Sequence, residues 1–135
     1  MDIVQPGSKP AQRGPGDWFT GVVFLEPLVE APAPARVRAV RVTFEPGART
    51  AWHRHPLGQA LIVVSGVALI GHDDGTVDRV TPGGTVWFEP GERHWHGASP
   101  DAPMTHVAIQ EAGEDGSSAA WEEHVTDEEY GRGGA

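Results

Sequence analysis

Five of the seven histidines in this chain are grouped in a way that could do chemistry. His53 and His55 are two apart, His94 and His96 are two apart, and His106 stands four before Gln110. In an extended strand residues i, i+2 and i+4 point to one face, so each set projects together. A neutral imidazole is a ligand for a divalent cation or a base near neutral pH, and imidazoles converging from three strands suit a metal centre. Spacing alone does not choose Gln59, His96 or His106 as a fourth ligand beside the others. His72 and His124 have no converging companions and read as ordinary hydrogen-bonded or surface residues. The chain contains no cysteine. Disulfides, thiolate metal sites, iron-sulfur clusters and cysteine nucleophiles are therefore excluded, and oxygen and nitrogen must carry the chemistry.

The elements that must position these residues are short strands. Val37 to Phe44 alternates, with Val40, Val42 and Phe44 on one face before the turn Glu45-Pro46-Gly47. Strand-like runs follow at Thr50 to His55, Gln59 to Ser65, Val67 to Gly71, Val77 to Val80, Thr85 to Phe88, His94 to Gly97 and Met104 to Ile109. Turn signals separate them, among them Pro56-Leu57-Gly58, Thr81-Pro82-Gly83-Gly84 and Glu89-Pro90-Gly91. No sustained helical period competes, so the chain reads as one all-β domain, a sandwich or barrel. The apolar companions of the histidines, Val40, Val42, Leu61, Val63 and Ala108, place the shared face inside it. Residues 1–16 read as an irregular arm, Asp17 to Phe24 as a strand, 37–112 as the barrel and 113–135 as a tail. Within that tail Thr126 and Glu129 have capping-box spacing, and Arg132 to Ala135 should fray.

The formal charge of -9 excludes nucleic acid and anionic membranes as partners, since both require clustered Lys and Arg. A small neutral or cationic ligand fits better. The longest apolar run, Ala60 to Val64, is too short to span a bilayer, and residues 1–16 lack an apolar centre, so a cytoplasmic protein is expected.

Gly47-x5-His53-x-His55-x3-Gln59-x6-Gly66 is similar, position for position, to the first motif of the cupin family, with glutamine in place of the usual glutamate. Gly83, Gly91 and His94 resemble the second motif, although the family's proline position is Glu89, with the proline displaced to Pro90, and its asparagine position is Ala98. The resemblance implies a double-stranded β-helix barrel holding a metal on His53, His55, Gln59 and His94. His96 and His106 become candidates for the surroundings of that metal. Three imidazoles and an amide leave a divalent ion its full charge, which favours Lewis-acid chemistry. Mn(II) is the metal the closer resemblance implies, while Fe(II), Co, Ni and Zn are compatible with the same donors.

That closer resemblance is to the small bacterial manganese-dependent cupin hydroxynitrile lyases, which split and form (R)-cyanohydrins. It runs nearly end to end and is carried by Gly14 to Gly21, Thr43 to His53, His55 to Gln59, Gly91 to Ala98, Met104 to His106 and Glu123 to Glu128. It departs at the Leu69-to-Val80 hairpin and at Val40, where alanine is the familiar residue. What it implies is a small-molecule aldehyde or cyanohydrin substrate and cyanide; for that reaction His96 is expected as the base, His106 and Gln110 as the groups that orient substrate and stabilise departing cyanide, and Thr50 as a hydrogen-bond donor. Val40, Val42, Phe44 and Trp52 would form the wall of the pocket. Two alternatives use the same ligands: an Fe- or Mn-dependent dioxygenase, and a binding module without turnover. A small barrel with a strand-bearing arm and five tryptophans is expected to form a homodimer or homotetramer.

Overall fold

The computed structural model describes residues 1–133 and is built almost wholly of antiparallel strands. In chain order they are β1 (Gln12–Arg13), β2 (Phe19–Thr20), β3 (Val23–Glu30), β4 (Val37–Phe44), β5 (Arg49–Thr50), β6 (His53–Arg54), β7 (Gln59–Ser65), β8 (Ala68–His72), β9 (Val77–Val80), β10 (Thr85–Phe88), β11 (His94–Ala98), β12 (Met104–Glu111) and β13 (Ala120–Trp121). One sheet runs β1-β3-β4-β12-β7-β10. The other runs β13-β6-β11-β5-β2, with β8 beside β11 and β9 beyond it.

Alternation on the long strands decides what is enclosed. On β4, β7 and β12 the buried positions are Val42, Phe44, Gln59, Leu61, Val63, Met104, His106 and Ala108, each separated from the next on its strand by a less buried residue. The apolar ones join Phe19, Val23, Ile70 and Phe88 in a core between the two sheets. A second core of Trp52, Leu69, Trp95 and Val125 lies on the other side of the β11 sheet, under the C-terminal segment.

Two expected strands are interrupted. The run from Asp17 to Phe24 breaks into β2 and β3 at Gly21, whose φ of +83° and contact with Ala48 suit no other residue. The run from Thr50 to His55 breaks into β5 and β6, leaving Ala51 and Trp52 between them. The N-terminal arm is not wholly irregular either: Gln12 and Arg13 pair with Leu25 and Phe24 at the edge of β3. The expected capping box is present, because Thr126 accepts from the Glu129 backbone N–H and Glu129 accepts from that of Thr126, starting α1 (Asp127–Gly131). Tyr130 then donates to the Ala98 carbonyl at 2.6 Å, and buried Arg49 donates to the Val125 carbonyl and to Asp127. Of the tail end expected to fray, Gly134 and Ala135 lie outside the described residues. Among the described residues no helix is long and apolar enough to cross a membrane.

Candidate active site

Antiparallel pairing brings the separated histidines together. His94 on β11 lies opposite His53 on β6, and His106 on β12 lies between Val42 of β4 and Val63 of β7. His55 follows β6 directly, and the turn Pro56-Leu57-Gly58 returns the chain to Gln59 at the start of β7. Gly58 holds this turn at φ +81°, where a Cβ would meet the Phe88 carbonyl at 2.7 Å. The His55 carbonyl accepts from both Gly58 and Gly91, which ties the loop that carries the first pair to the loop that precedes the second.

The imidazoles are oriented one by one. The Nδ1 atoms of His53, His55 and His94 donate to the carbonyls of Ala51 (2.9 Å), Ser118 (2.7 Å) and Glu92 (2.9 Å). A ring that donates from Nδ1 keeps its lone pair on Nε2, the arrangement usual for metal-binding histidines. The Nε2 atoms of His55, His94 and His96, the Nδ1 of His106 and the Oε1 of Gln59 are buried without any hydrogen-bond partner. Buried acceptors of this kind are costly unless a cation satisfies them. The ring centroids of His53 lie 4.3 Å from His94 and 5.0 Å from His55. His96 also stands near, since ligand atoms of His53, His94 and His96 all fall within 4.8 Å of one another. Its partner differs, however: His96 Nδ1 faces His106 Nε2 at 3.0 Å rather than a fixed carbonyl.

Burial sets the protonation states. Loss of hydration lowers His94 and His106 to about 3 and holds His53 and His96 well below the ordinary histidine value, with neighbouring imidazoles adding to the effect on the latter two. His55 is lowered by the same cause, partly opposed by its hydrogen bond to the Ser118 carbonyl and by the neighbouring Gln59 side chain. The cluster is neutral at physiological pH and therefore competent to bind a cation.

Beside it opens a cavity of about 200 Å³. Of the expected residues, Val40, Val42, Thr50, His53, His55, Gln59, His96, His106 and Gln110 line it. Thr50 also accepts from the His96 backbone N–H at 3.1 Å, so it helps hold that residue in place. Two expected wall residues do not reach the cavity. Trp52, in the break between β5 and β6, faces the second core, where Arg93 covers its ring at 3.9 Å. Phe44 is fully buried and supports the histidines from behind, with ring centroids 6.1 Å from His96 and 5.3 Å from His106. The aromatic wall is supplied instead by Trp18, Phe19 and Trp121. Trp121 stacks on His53 at 4.5 Å and on Trp18 at 5.0 Å. Trp18 and Phe19 lie within the run Asp17 to Phe24 that the sequence marks only as a strand, and nothing local to Trp121 marks it. His72 and His124 lie outside the cluster, paired with Asp78 and Thr20.

Comparison with known proteins agrees with this geometry. Residues 40–110 match the cupin domain model. The chain is 56% identical over 132 residues, 98% of its length and 100% of the other, to an (R)-mandelonitrile lyase of Granulicella tundricola. It is similar to the crystal structure of a cupin-like protein from Thermotoga maritima, with 38% identity, coverage of 96% and 95% of the two chains, and a TM-score of 0.81. The polyketide cyclase RemF of Streptomyces resistomycificus shares the fold at 19% identity, covering 96% of this chain and 90% of its own, with a TM-score of 0.74. Strand order, paired histidine motifs and these matches together establish that the chain belongs to the cupin family.

Proposed function

We propose that this chain is a metal-dependent hydroxynitrile lyase that cleaves or forms (R)-cyanohydrins from an aldehyde and cyanide. The observation that carries the reading is the convergence of buried, unpartnered acceptors, His55 Nε2, Gln59 Oε1 and His94 Nε2, beside a histidine pair that faces a mainly apolar cavity. The lyase from Granulicella tundricola, similar over the full length, supports the substrate class.

His53, His55 and His94 through Nε2 and Gln59 through Oε1 would hold the metal, and we propose Mn(II) as its identity. Bound there, a divalent ion supplies Lewis-acid stabilisation of developing negative charge, undiminished by any anionic ligand. The remaining chemistry belongs to the chain. For His96 Nε2 to receive a proton, its Nδ1–H must donate to His106 Nε2, which sets the tautomers of both rings. His96 Nε2 then takes the hydroxyl proton of the cyanohydrin as the carbon-carbon bond breaks and its electron pair leaves with cyanide. The lowered basicity of His96 makes its protonated form a ready acid, so the proton passes on to cyanide and HCN departs. Trp18, Phe19, Leu25, Val40, Val42 and Trp121 hold the aldehyde side chain and exclude water.

The test is release of benzaldehyde from racemic mandelonitrile by the Mn(II)-loaded protein, beside a metal-free control and with the residual enantiomer resolved. Metal-dependent consumption of the (R)-enantiomer is expected. Release no faster than background would overturn the assignment.

A homodimer or homotetramer is part of the same proposal. The outward positions of β7 and β10 carry exposed Ile62, Val64 and Trp87, an apolar patch on neighbouring strands suited to a second copy, with exposed Phe24 on β3 beyond Thr43 and Thr105. Light scattering on a sizing column tests it, with Trp87→Glu expected to shift the protein toward monomer.

A further inference from the structure

We infer that Gln110 is a positioning residue that determines which face the Gln59 amide presents to the bound cation. The inference rests on the metal-centre reading above and adds to it a requirement specific to glutamine.

Gln59 and Gln110 are direct cross-strand partners on β7 and β12. Gln59 Nε2 donates to Gln110 Oε1 at 2.8 Å. That bond leaves Gln59 Oε1 buried and without a partner. Gln59 and His55 line the same cavity. His55 already donates from Nδ1 to the Ser118 carbonyl, so its Nε2 is also an acceptor. Both acceptors are buried, neither has a hydrogen-bond partner, and neither can satisfy the other. A cation can satisfy both.

A glutamine amide has two unlike ends. Turned over, Gln59 would present N–H to the site in place of its oxygen donor. With Gln110 Oε1 held toward it, the turned amide would set two carbonyl oxygens against each other. A glutamate at 59 would present an oxygen either way and would need no such partner. The glutamine that leaves the cation its full charge thus makes the residue at 110 part of the metal centre. The sequence-based expectation for Gln110 was substrate orientation; this hydrogen bond assigns it a separate task.

The experiment is a double-mutant cycle read by Mn(II) affinity, using chelator competition, together with side-chain amide NMR of the metal-free protein. Gln110→Leu, which keeps the shape and removes the acceptor, is expected to weaken Mn(II) binding about 10- to 100-fold. Gln110→Glu, which keeps an acceptor, should bind at least as tightly as the parent chain. In a Gln59→Glu background the cost of Gln110→Leu should shrink to less than about threefold, the signature of coupling between the two positions. The Gln59 Nε2 protons should be shifted and slow to exchange, and Gln110→Leu should abolish both properties. Unchanged affinity in Gln110→Leu, or equal losses in the two backgrounds, would overturn the inference. An amide signature indifferent to Gln110→Leu would also overturn it. A parent chain that binds no Mn(II) yet shows the signature would refute the metal assignment while supporting the positioning of the amide.

Discussion

His106 Nε2 stands 3.0 Å from His96 Nδ1, and both rings are buried. One proton bridges them, so the choice of tautomer at either ring dictates the other. If His96 is the base, its Nε2 is free, its Nδ1 donates, and His106 carries its own proton on Nδ1. Substituting His96 by alanine removes the base and leaves the three imidazoles tied to carbonyls in place. His96→Ala is therefore expected to retain Mn(II) while losing about 10²- to 10⁴-fold in kcat. His53→Ala should lose both metal and turnover. Metal titration beside steady-state kinetics separates the cases, and retained activity in His96→Ala would remove the base assignment.

The same burial makes the metal-free fold sensitive to acid. His106 is lowered to about 3 in the folded chain, against an ordinary histidine value in the unfolded chain. Between those values the unfolded state binds the additional proton, so stability falls as pH falls. Its contribution is complete above the unfolded value of roughly 6.5 and is lost progressively on the way to about 3, at up to about 1.4 kcal/mol per pH unit. Denaturant titrations of the metal-free protein between pH 7 and 4 should show that slope flattening in His106→Phe. An unchanged slope in that variant would contradict the proposed origin.

Trp121 covers His53 and stacks on Trp18, making an aromatic surface continuous with the candidate metal centre. Aromatic pairing of this kind is worth about 0.5 to 1.5 kcal/mol, or roughly a two- to twelvefold effect. Trp121→Leu is expected to raise KM for mandelonitrile by that factor and to change KM for a short aliphatic cyanohydrin much less. Equal changes for both substrates would argue against an aromatic-selecting wall.

Val40 projects into the cavity next to Val42 and Leu25. Val40→Ala removes two methyl groups and should admit bulkier aromatic aldehydes, raising kcat/KM for ortho-substituted substrates relative to benzaldehyde. A large-to-small change at this half-buried position is expected to cost about 1 kcal/mol of stability. Parallel substrate profiling and thermal melts provide the measurement.

Much of this was legible along the chain because it depends on neighbours in sequence. Period-two alternation identified Gln59–Ser65 and Thr85–Phe88 to the residue, since each strand must present one face to a core. The Thr126–Glu129 box was legible because a cap is made between residues three apart. The paired histidines were legible for the same reason, and the cupin motif added Gln59 to them.

What the chain could not reveal locally was which strand lies beside which. Gln110 meets Gln59 across 51 residues, and Trp121 reaches His53 only because β13 pairs with β6. Trp52, adjacent to His53 in sequence, lands in a different core because the break between β5 and β6 turns its side chain to the opposite side of the sheet. Sequence by itself determined the elements, their inward faces and the donors available for a metal, because propensity and alternation act over a few residues. Register and sheet closure, which are set by packing the whole barrel at once, decided that Gln110 would hold the amide and that a tail tryptophan would wall the cavity.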